Sequence, residues 1–513
     1  MTGTADVSTY DVVVIGGGPV GENAAEYAIK GSSRTAAIIE HELVGGECSY
    51  WACMPSKGLL GPGAALAATS GLPGAREQLT QPTPDVGAVL GWRDTITHQR
   101  DDSSQVDWAS GACIDVIRGH GRIVGEREVE VGGRGERSDG EYGRGERSDG
   151  ECGRGERSDG KGNRRIVARE AVVVATGSTA SVPPIPGLRE ARPWTSRDAT
   201  NMVDVPERMV VLGGGVVACE AATWLLDLGV RELTMVIRGD RVLPKAEQFV
   251  GEQVATGLIR RGVDIRFGAQ ISAVERPDVA DTGYGHIHGG PARVTVDQGG
   301  GSSVLEVDEL LVAAGRAPAT SDLGLEVLDL PDSGPLRVDH HMTVPGHLWL
   351  YAVGDVNGRV ALTHMGKYQG RVAGDVIAAR ADGRPLDGSR FTASADRDAI
   401  PQVVFTRPEM ASVGRTEAQA REDGVDVVIA EADIAVAGSY LVSPDYAGHA
   451  KLVIDRSRDV LVGATFVGAD TAELVHSATV AVVGEVTIDR LWHAVPSYPT
   501  VSEVWLRLLE QLR

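Results

Sequence analysis

The sequence predicts an α/β chain of several domains closed by a smaller α+β module, and three observations lead there. Residues 11–15 form a β-branched run, DVVVI, which breaks at Gly16-Gly17-Gly18-Pro19-Val20-Gly21 into an alanine-rich helical pattern. The same order of strand, glycine turn and helix returns at residues 208–228. From about residue 399 the pattern changes to a mixture of strands and helices that ends in an amphipathic stretch over 501–512.

Size and composition allow this organisation. The 513 residues are 42% hydrophobic and include 66 glycines, enough for two to four domains at roughly 100–200 residues each. A formal net charge of −21 argues against nucleic acid or an anionic membrane as partner, because such surfaces select an excess of Lys and Arg. No apolar run approaches the roughly 18 residues of a spanning helix. The polar start lacks the basic and apolar regions of a signal peptide, so a cytoplasmic location is expected. Five cysteines, Cys48, Cys53, Cys113, Cys152 and Cys219, are too few for a disulfide framework, and they lack the paired spacing of a zinc site. No metal site is expected.

Taken in order, the first glycine turn presents Gly16, Gly18 and Gly21, which permit a tight bend and let a pyrophosphate approach the backbone N–H groups of a helix start. The following strand, 35–39, ends on Glu40, where a carboxylate would meet a ribose hydroxyl. In the second unit a strand at 208–212 precedes Gly213, Gly215 and Ala218, a helix covers 220–228, and the next strand, 233–237, ends in Arg238 instead of an acid. An arginine there would pair with a 2′-phosphate, which points to NADPH, with NADH as the alternative. The other reading of Arg238 is a solvated loop cation. Two Rossmann-like dinucleotide-binding domains are therefore expected in one polypeptide.

Between them GRGERSDG followed by two variable residues occurs three times, over 133–162. This charged stretch has almost no apolar residue to bury, so it is expected to be a disordered loop between strands at 126–131 and 165–167, with Cys152 incidental. Further strands are expected at 304–313 and 348–353.

The segment Gly45-Gly46-Glu47-Cys48-Ser49-Tyr50-Trp51-Ala52-Cys53-Met54-Pro55-Ser56-Lys57 carries the most chemistry. Cysteines five apart lie a little over one helical turn from each other, so a distorted helix start can bring both sulfurs to bonding distance. A helix N-terminus would also lower a thiol pKa. Two buried cysteines packing as small hydrophobes satisfy the same spacing.

This segment, together with the first glycine turn, resembles the class I pyridine nucleotide-disulfide oxidoreductases, a family that includes dihydrolipoamide dehydrogenase, glutathione reductase and mercuric reductase. The resemblance extends through Ala175-Thr176-Gly177, Gly315-Arg316-Ala317-Pro318, Tyr351-Ala352-Val353-Gly354-Asp355 and Val404-Phe405-Thr406-Arg407-Pro408-Glu409. It implies an FAD-binding domain in two segments, 1–198 and 318–395, an NAD(P)-binding domain over 199–317, and a dimerisation domain over 396–513 that completes the active site of the other subunit in a homodimer. It further implies that Cys53 faces the flavin and Cys48 meets the acceptor, that Lys57 lies near the flavin and pairs with Glu220, and that Asp355 holds the ribityl chain. Thr176 and Gly177 fall to FAD, and Gly315 to the nicotinamide nucleotide.

One departure bears on the acceptor. Where the family's disulfide reductases carry His-Pro-Thr with a glutamate five residues after the histidine, this chain reads Ser497-Tyr498-Pro499-Thr500-Val501-Ser502-Glu503. A phenol with a pKa near 10 does not exchange protons at neutral pH as an imidazole does. Mercuric reductases resemble this chain in carrying tyrosine there. His493 is a candidate substitute base, and Tyr50 and Trp51 suggest an aromatic acceptor face suited to a quinone. The expected function is NADPH-dependent reduction, through FAD and Cys48/Cys53, of a small disulfide, metal-ion or quinone acceptor. The rivals are an NAD-linked dihydrolipoamide dehydrogenase and a non-catalytic redox-sensing flavoprotein.

Overall fold

The computed structural model describes residues 7–81, 83–132 and 164–513, which group into two compact units. The repeats, the expected loop they form and Cys152 lie outside the described residues.

The first unit comprises 1–55, 94–179 and 316–396. Its sheet centres on strand Val7–Ile15, parallel to Ala36–Glu40 on one side and to Arg164–Val174 on the other; Ile114–Arg118 and His347–Ala352 extend it. Val12 and Val14 pack into one apolar layer with helix Pro19–Ile29, while Val13 and Ile15 pack into the opposite layer. Burial on both faces explains why Val12–Ile15 is continuously apolar instead of alternating. On the same sheet Glu128–Gly132 pairs antiparallel with Arg164–Val174, with Val131 opposite Arg164.

The second unit comprises 56–93, 180–315 and 397–513. A parallel sheet runs in the order Asp264–Phe267, Glu232–Ile237, Arg208–Leu212, Glu309–Val312. An antiparallel sheet of Ala269–Glu275, Ala292–Gln298 and Gly301–Val307 accompanies it. The C-terminal module is a five-stranded sheet in the order Pro401–Val404, Glu409–Gly414, Val460–Gly468, His449–Asp455, Val427–Asp433. Its core includes Phe466, Trp505 and Leu508. Among the described residues no helix is long and apolar enough to cross a membrane.

Two expectations change. The strand expected over 304–313 is two strands in different sheets, separated at Asp308, whose carboxylate accepts hydrogen bonds from the N–H groups of Glu207 and Arg208. The buried Trp194 exchanges backbone hydrogen bonds with Leu310 and Val312 and donates from Nε1 to the His286 carbonyl. Finally, the amphipathic stretch at 501–512 is a 3₁₀ turn, Val501–Glu503, followed by helix Val504–Glu510.

Candidate functional site

Strand Val7–Ile15 delivers the chain into Gly16, which has φ +107° and lies so close to Ala175 that a Cβ would stand 2.4 Å from its carbonyl oxygen. Only glycine fits there. Gly21 is fixed by packing, since a Cβ would come 2.0 Å from the Gly16 oxygen. Gly18 is different: its φ of −71° suits any residue, and a Cβ there meets nothing within 4 Å. The space in front of the helix is therefore open where its free N–H groups attract a phosphate. Glu40 is buried at the end of its strand, accepting from Gly17 N at 2.7 Å and from Glu42 N at 2.6 Å. The turn thus leaves room for a pyrophosphate before the helix, with a carboxylate held at the end of the adjacent strand.

Elsewhere in this unit, Thr176 Oγ1 donates to the Ala319 carbonyl at 2.6 Å, and Gly177 turns the chain at φ +73°. Asp355 lies in the 3₁₀ turn Gly354–Asn357 and accepts from Ser178 Oγ at 2.6 Å. Arg316 braces the same serine, donating from Nε to Oγ at 2.7 Å, and reaches Glu47 at 3.3 Å.

Cys48 lies in the short helix Gly46–Tyr50, and Cys53 begins helix Cys53–Gly71. Both are thiols, hydrogen-bonded to each other. Thr363, the first residue of helix Thr363–Ala381, places its Oγ1 3.3 Å from Cys53 Sγ and also bonds Cys48. The hydrogen bond to Cys53 and then burial push the Cys48 thiol pKa up, against the charge of Lys367. That reverses the lowering expected from a helix start, because Cys48 sits inside its short helix against a second sulfur. Tyr50 and Trp51 are buried instead of forming an aromatic face; the Tyr50 hydroxyl donates to Gln105 at 3.0 Å.

In the second unit Lys57 Nζ lies 2.8 Å from Glu220 Oε2 and 4.6 Å from the centre of the Phe405 ring. Glu220 is buried, and its other oxygen accepts from Phe405 N at 3.0 Å. The second glycine turn repeats the first. Gly213 has φ +130° and approaches the Ala313 carbonyl, Gly215 faces open space, and Ala218 is fully buried where the first turn has Gly21. Gly315, at φ +138°, is also open around its Cα. Arg238 is exposed at the end of its strand and makes no ion pair among the described residues. In the C-terminal module Tyr498 is 77% exposed, His493 is exposed, and Glu503 accepts from Gly438 N at 3.3 Å.

The structure thus brings together Cys48 with Cys53 and Lys57 with Glu220. Sequence reasoning missed Thr363, Ser178 and Arg316. Arg316 stood within a quoted motif, whereas Thr363 carried no signal beyond being a hydroxyl at a helix start.

Two dinucleotide turns and a vicinal thiol pair define a flavoprotein dithiol enzyme, and comparison with known proteins makes the class specific. Residues 10–370 match the pyridine nucleotide-disulphide oxidoreductase model, and residues 400–508 match the dimerisation domain of the same name. The chain belongs to the pyridine nucleotide-disulphide oxidoreductase family, whose enzymes use FAD and a pyridine nucleotide. It is 28% identical over 507 residues to a dihydrolipoyl dehydrogenase of Bacillus subtilis (98% of this chain, 96% of that one). A glutathione reductase of Burkholderia cepacia is 29% identical over 509 residues (97% and 98%), and a mercuric reductase of Staphylococcus aureus 26% over 496 (96% and 81%). The HOCl-induced flavoprotein disulfide reductase RclA of Escherichia coli, solved as a Cu(II) complex, shares the fold with a TM-score of 0.77 at 23% identity, covering 99% of this chain and all of that one.

Proposed function

We propose that the chain is an NADPH-dependent reductase that uses FAD and the Cys48/Cys53 pair to pass two electrons to a small disulfide, metal-ion or quinone acceptor. The observation that carries this reading is the contact of the two thiols with each other and with Thr363. When bound, FAD supplies the conversion of a nicotinamide hydride into an electron pair for sulfur. The chain's own residues do the rest. Glu220 fixes Lys57 as a cation, and a cation held beside a flavin would stabilise the negative charge of its reduction. Asp355, braced by Ser178 and Arg316, offers an acceptor for a ribityl hydroxyl. Cys53, beside the Thr363 hydroxyl, serves as the flavin-facing sulfur and Cys48 as the exchanging one.

Arg238 supports NADPH. The first turn ends its neighbouring strand on the carboxylate of Glu40, which a 2′-phosphate would repel; the second ends on an exposed guanidinium. The C-terminal module supports a homodimer in which Tyr498 and Glu503 complete the site of the other subunit, since Val495, Tyr498, Leu441 and Val483 are all exposed on it.

Steady-state assays with NADPH and NADH against lipoamide, glutathione disulfide, Hg²⁺ and a quinone test the reading. Fast lipoamide turnover with NAD would replace it with a dihydrolipoamide dehydrogenase; no nucleotide oxidation with any acceptor would replace it with a redox sensor. Cys53→Ser is expected to abolish disulfide reduction, and quinone reduction that survives the change would show that the flavin bypasses the thiols.

A further inference from the structure

Helices Pro19–Ile29, Ser103–Gly111 and Thr363–Ala381 wall a cavity of about 520 Å³. The first contributes Glu22 and Glu26, the second Gln105 and Trp108, the third Lys367 and Arg371. Two links tie the cavity to the thiols. Thr363, Lys367 and Arg371 are spaced four apart and share a helix face: Thr363 touches both sulfurs, the Lys367 charge acts on Cys48 and on Glu22, and Arg371 stands in the wall. Independently, Tyr50, two residues beyond Cys48, donates to the wall residue Gln105.

Glu22 is the unusual group in this wall. Its Oε1 is buried with no hydrogen-bond partner among the described residues. Burial holds its carboxyl up at about 7, against the opposing charge of Lys367, so at neutral pH it can both give and take a proton. The other titratable and charged groups around it are Glu26 on its own helix, Lys367 and Arg371 across the cavity, and Tyr50. The Tyr50 phenol is pushed up by burial and then by Asp102, Glu22 and Asp101, with Arg118 opposing.

We propose that Glu22 is a catalytic residue that protonates the leaving sulfur of a disulfide acceptor seated in this cavity and exchanging with Cys48. The proposal rests on the functional reading above and narrows its acceptor to a disulfide. Cys48 gives its thiol proton to solvent, the Lys367 charge favouring the thiolate, and attacks one acceptor sulfur; a Cys48–acceptor bond forms, the acceptor's own S–S bond breaks, and the leaving thiolate takes the Glu22 proton. Cys53, its thiol proton likewise lost to solvent, then attacks Cys48, forming the Cys48–Cys53 disulfide and releasing the second acceptor sulfur, which is protonated by solvent. The acceptor gains two electrons, the cysteine pair loses two, and Glu22 regains its proton from water. This supplies the proton transfer for which the Tyr498 phenol is unsuited.

The test uses FAD-loaded protein whose cysteines are reduced with dithiothreitol and then freed of it. Two probes are compared: hydroxyethyl disulfide, whose alkyl thiolate needs a proton, and dithiobis(nitrobenzoate), whose aryl thiolate leaves readily without one. Glu22→Gln is expected to slow exchange with the alkyl probe about 100-fold more than with the aryl probe and to erase the break in the alkyl rate near neutral pH, while Glu22→Asp restores part of it. Equal losses on both probes, or none on either, overturn the proposal. So does reduced wild-type protein that consumes the aryl probe and leaves the alkyl probe untouched. Alkyl exchange that shows the Glu22 dependence, in an enzyme that never turns over with NADPH, sinks the donor side of the functional reading alone.

Discussion

Arg238 and Glu22 owe their chemistry to opposite circumstances. Arg238 stands in water, so its contribution to nucleotide choice depends on what it can reach. A charge-assisted hydrogen bond to phosphate is worth about 1.5–3 kcal/mol, so Arg238→Ala is expected to lower kcat/KM for NADPH by roughly 10- to 100-fold and to affect NADH far less; steady-state comparison of the two nucleotides checks this. Glu22 is out of water, and its carboxyl is raised from an ordinary 4.5 to about 7. A raised carboxyl stabilises the fold fully below about 4.5, and that contribution is lost as pH climbs through about 7. Glu22→Gln removes the titration, so its melting temperature should gain on wild type across that window and hold the gain above it. Thermal melts over the range decide it, and a constant difference would count against a buried, titrating Glu22.

At the scale of elements, the two glycine turns separate folding from binding. A Cβ at Gly21 collides with the Gly16 carbonyl, whereas a Cβ at Gly18 enters open space. Gly21→Ala is therefore expected to destabilise the first unit, while Gly18→Ala should fold normally and lose FAD affinity, measured by flavin retention on gel filtration. These turns were legible in the sequence because a both-faces-buried strand reads as an unbroken apolar run and the glycine spacing follows it directly. The Cys48/Cys53 segment was legible for a similar reason, all of its residues being local. What escaped depended on distant packing. Apolar pattern cannot see that Asp308 ends one strand and begins another, since the reason is its grip on the N–H groups of Glu207 and Arg208. Trp194 joins the nucleotide sheet through strand Glu309–Val312, far along the chain. Glu22 and Thr363 acquire their surroundings from helices more than 300 residues apart in the sequence.

For the whole molecule, the pairing of Glu128–Gly132 with Arg164–Val174 matters most. Val131 faces Arg164 directly, so the ladder closes at the point where the repeats begin and end. Replacing residues 133–163 with a short Asn-Gly turn is expected to leave melting temperature, flavin content and turnover unchanged, because the register is already set by the flanking strands. A large fall in any of the three would assign the repeats a part in the fold or the reaction.

The same hairpin has a consequence for the gene. Slippage during replication that adds or removes whole ten-residue units keeps the reading frame and leaves the sequence of both flanking strands, and so their pairing, unchanged. If the repeats are dispensable as predicted above, orthologous genes are expected to differ there in length before they differ at Gly18, Cys48 or Glu220.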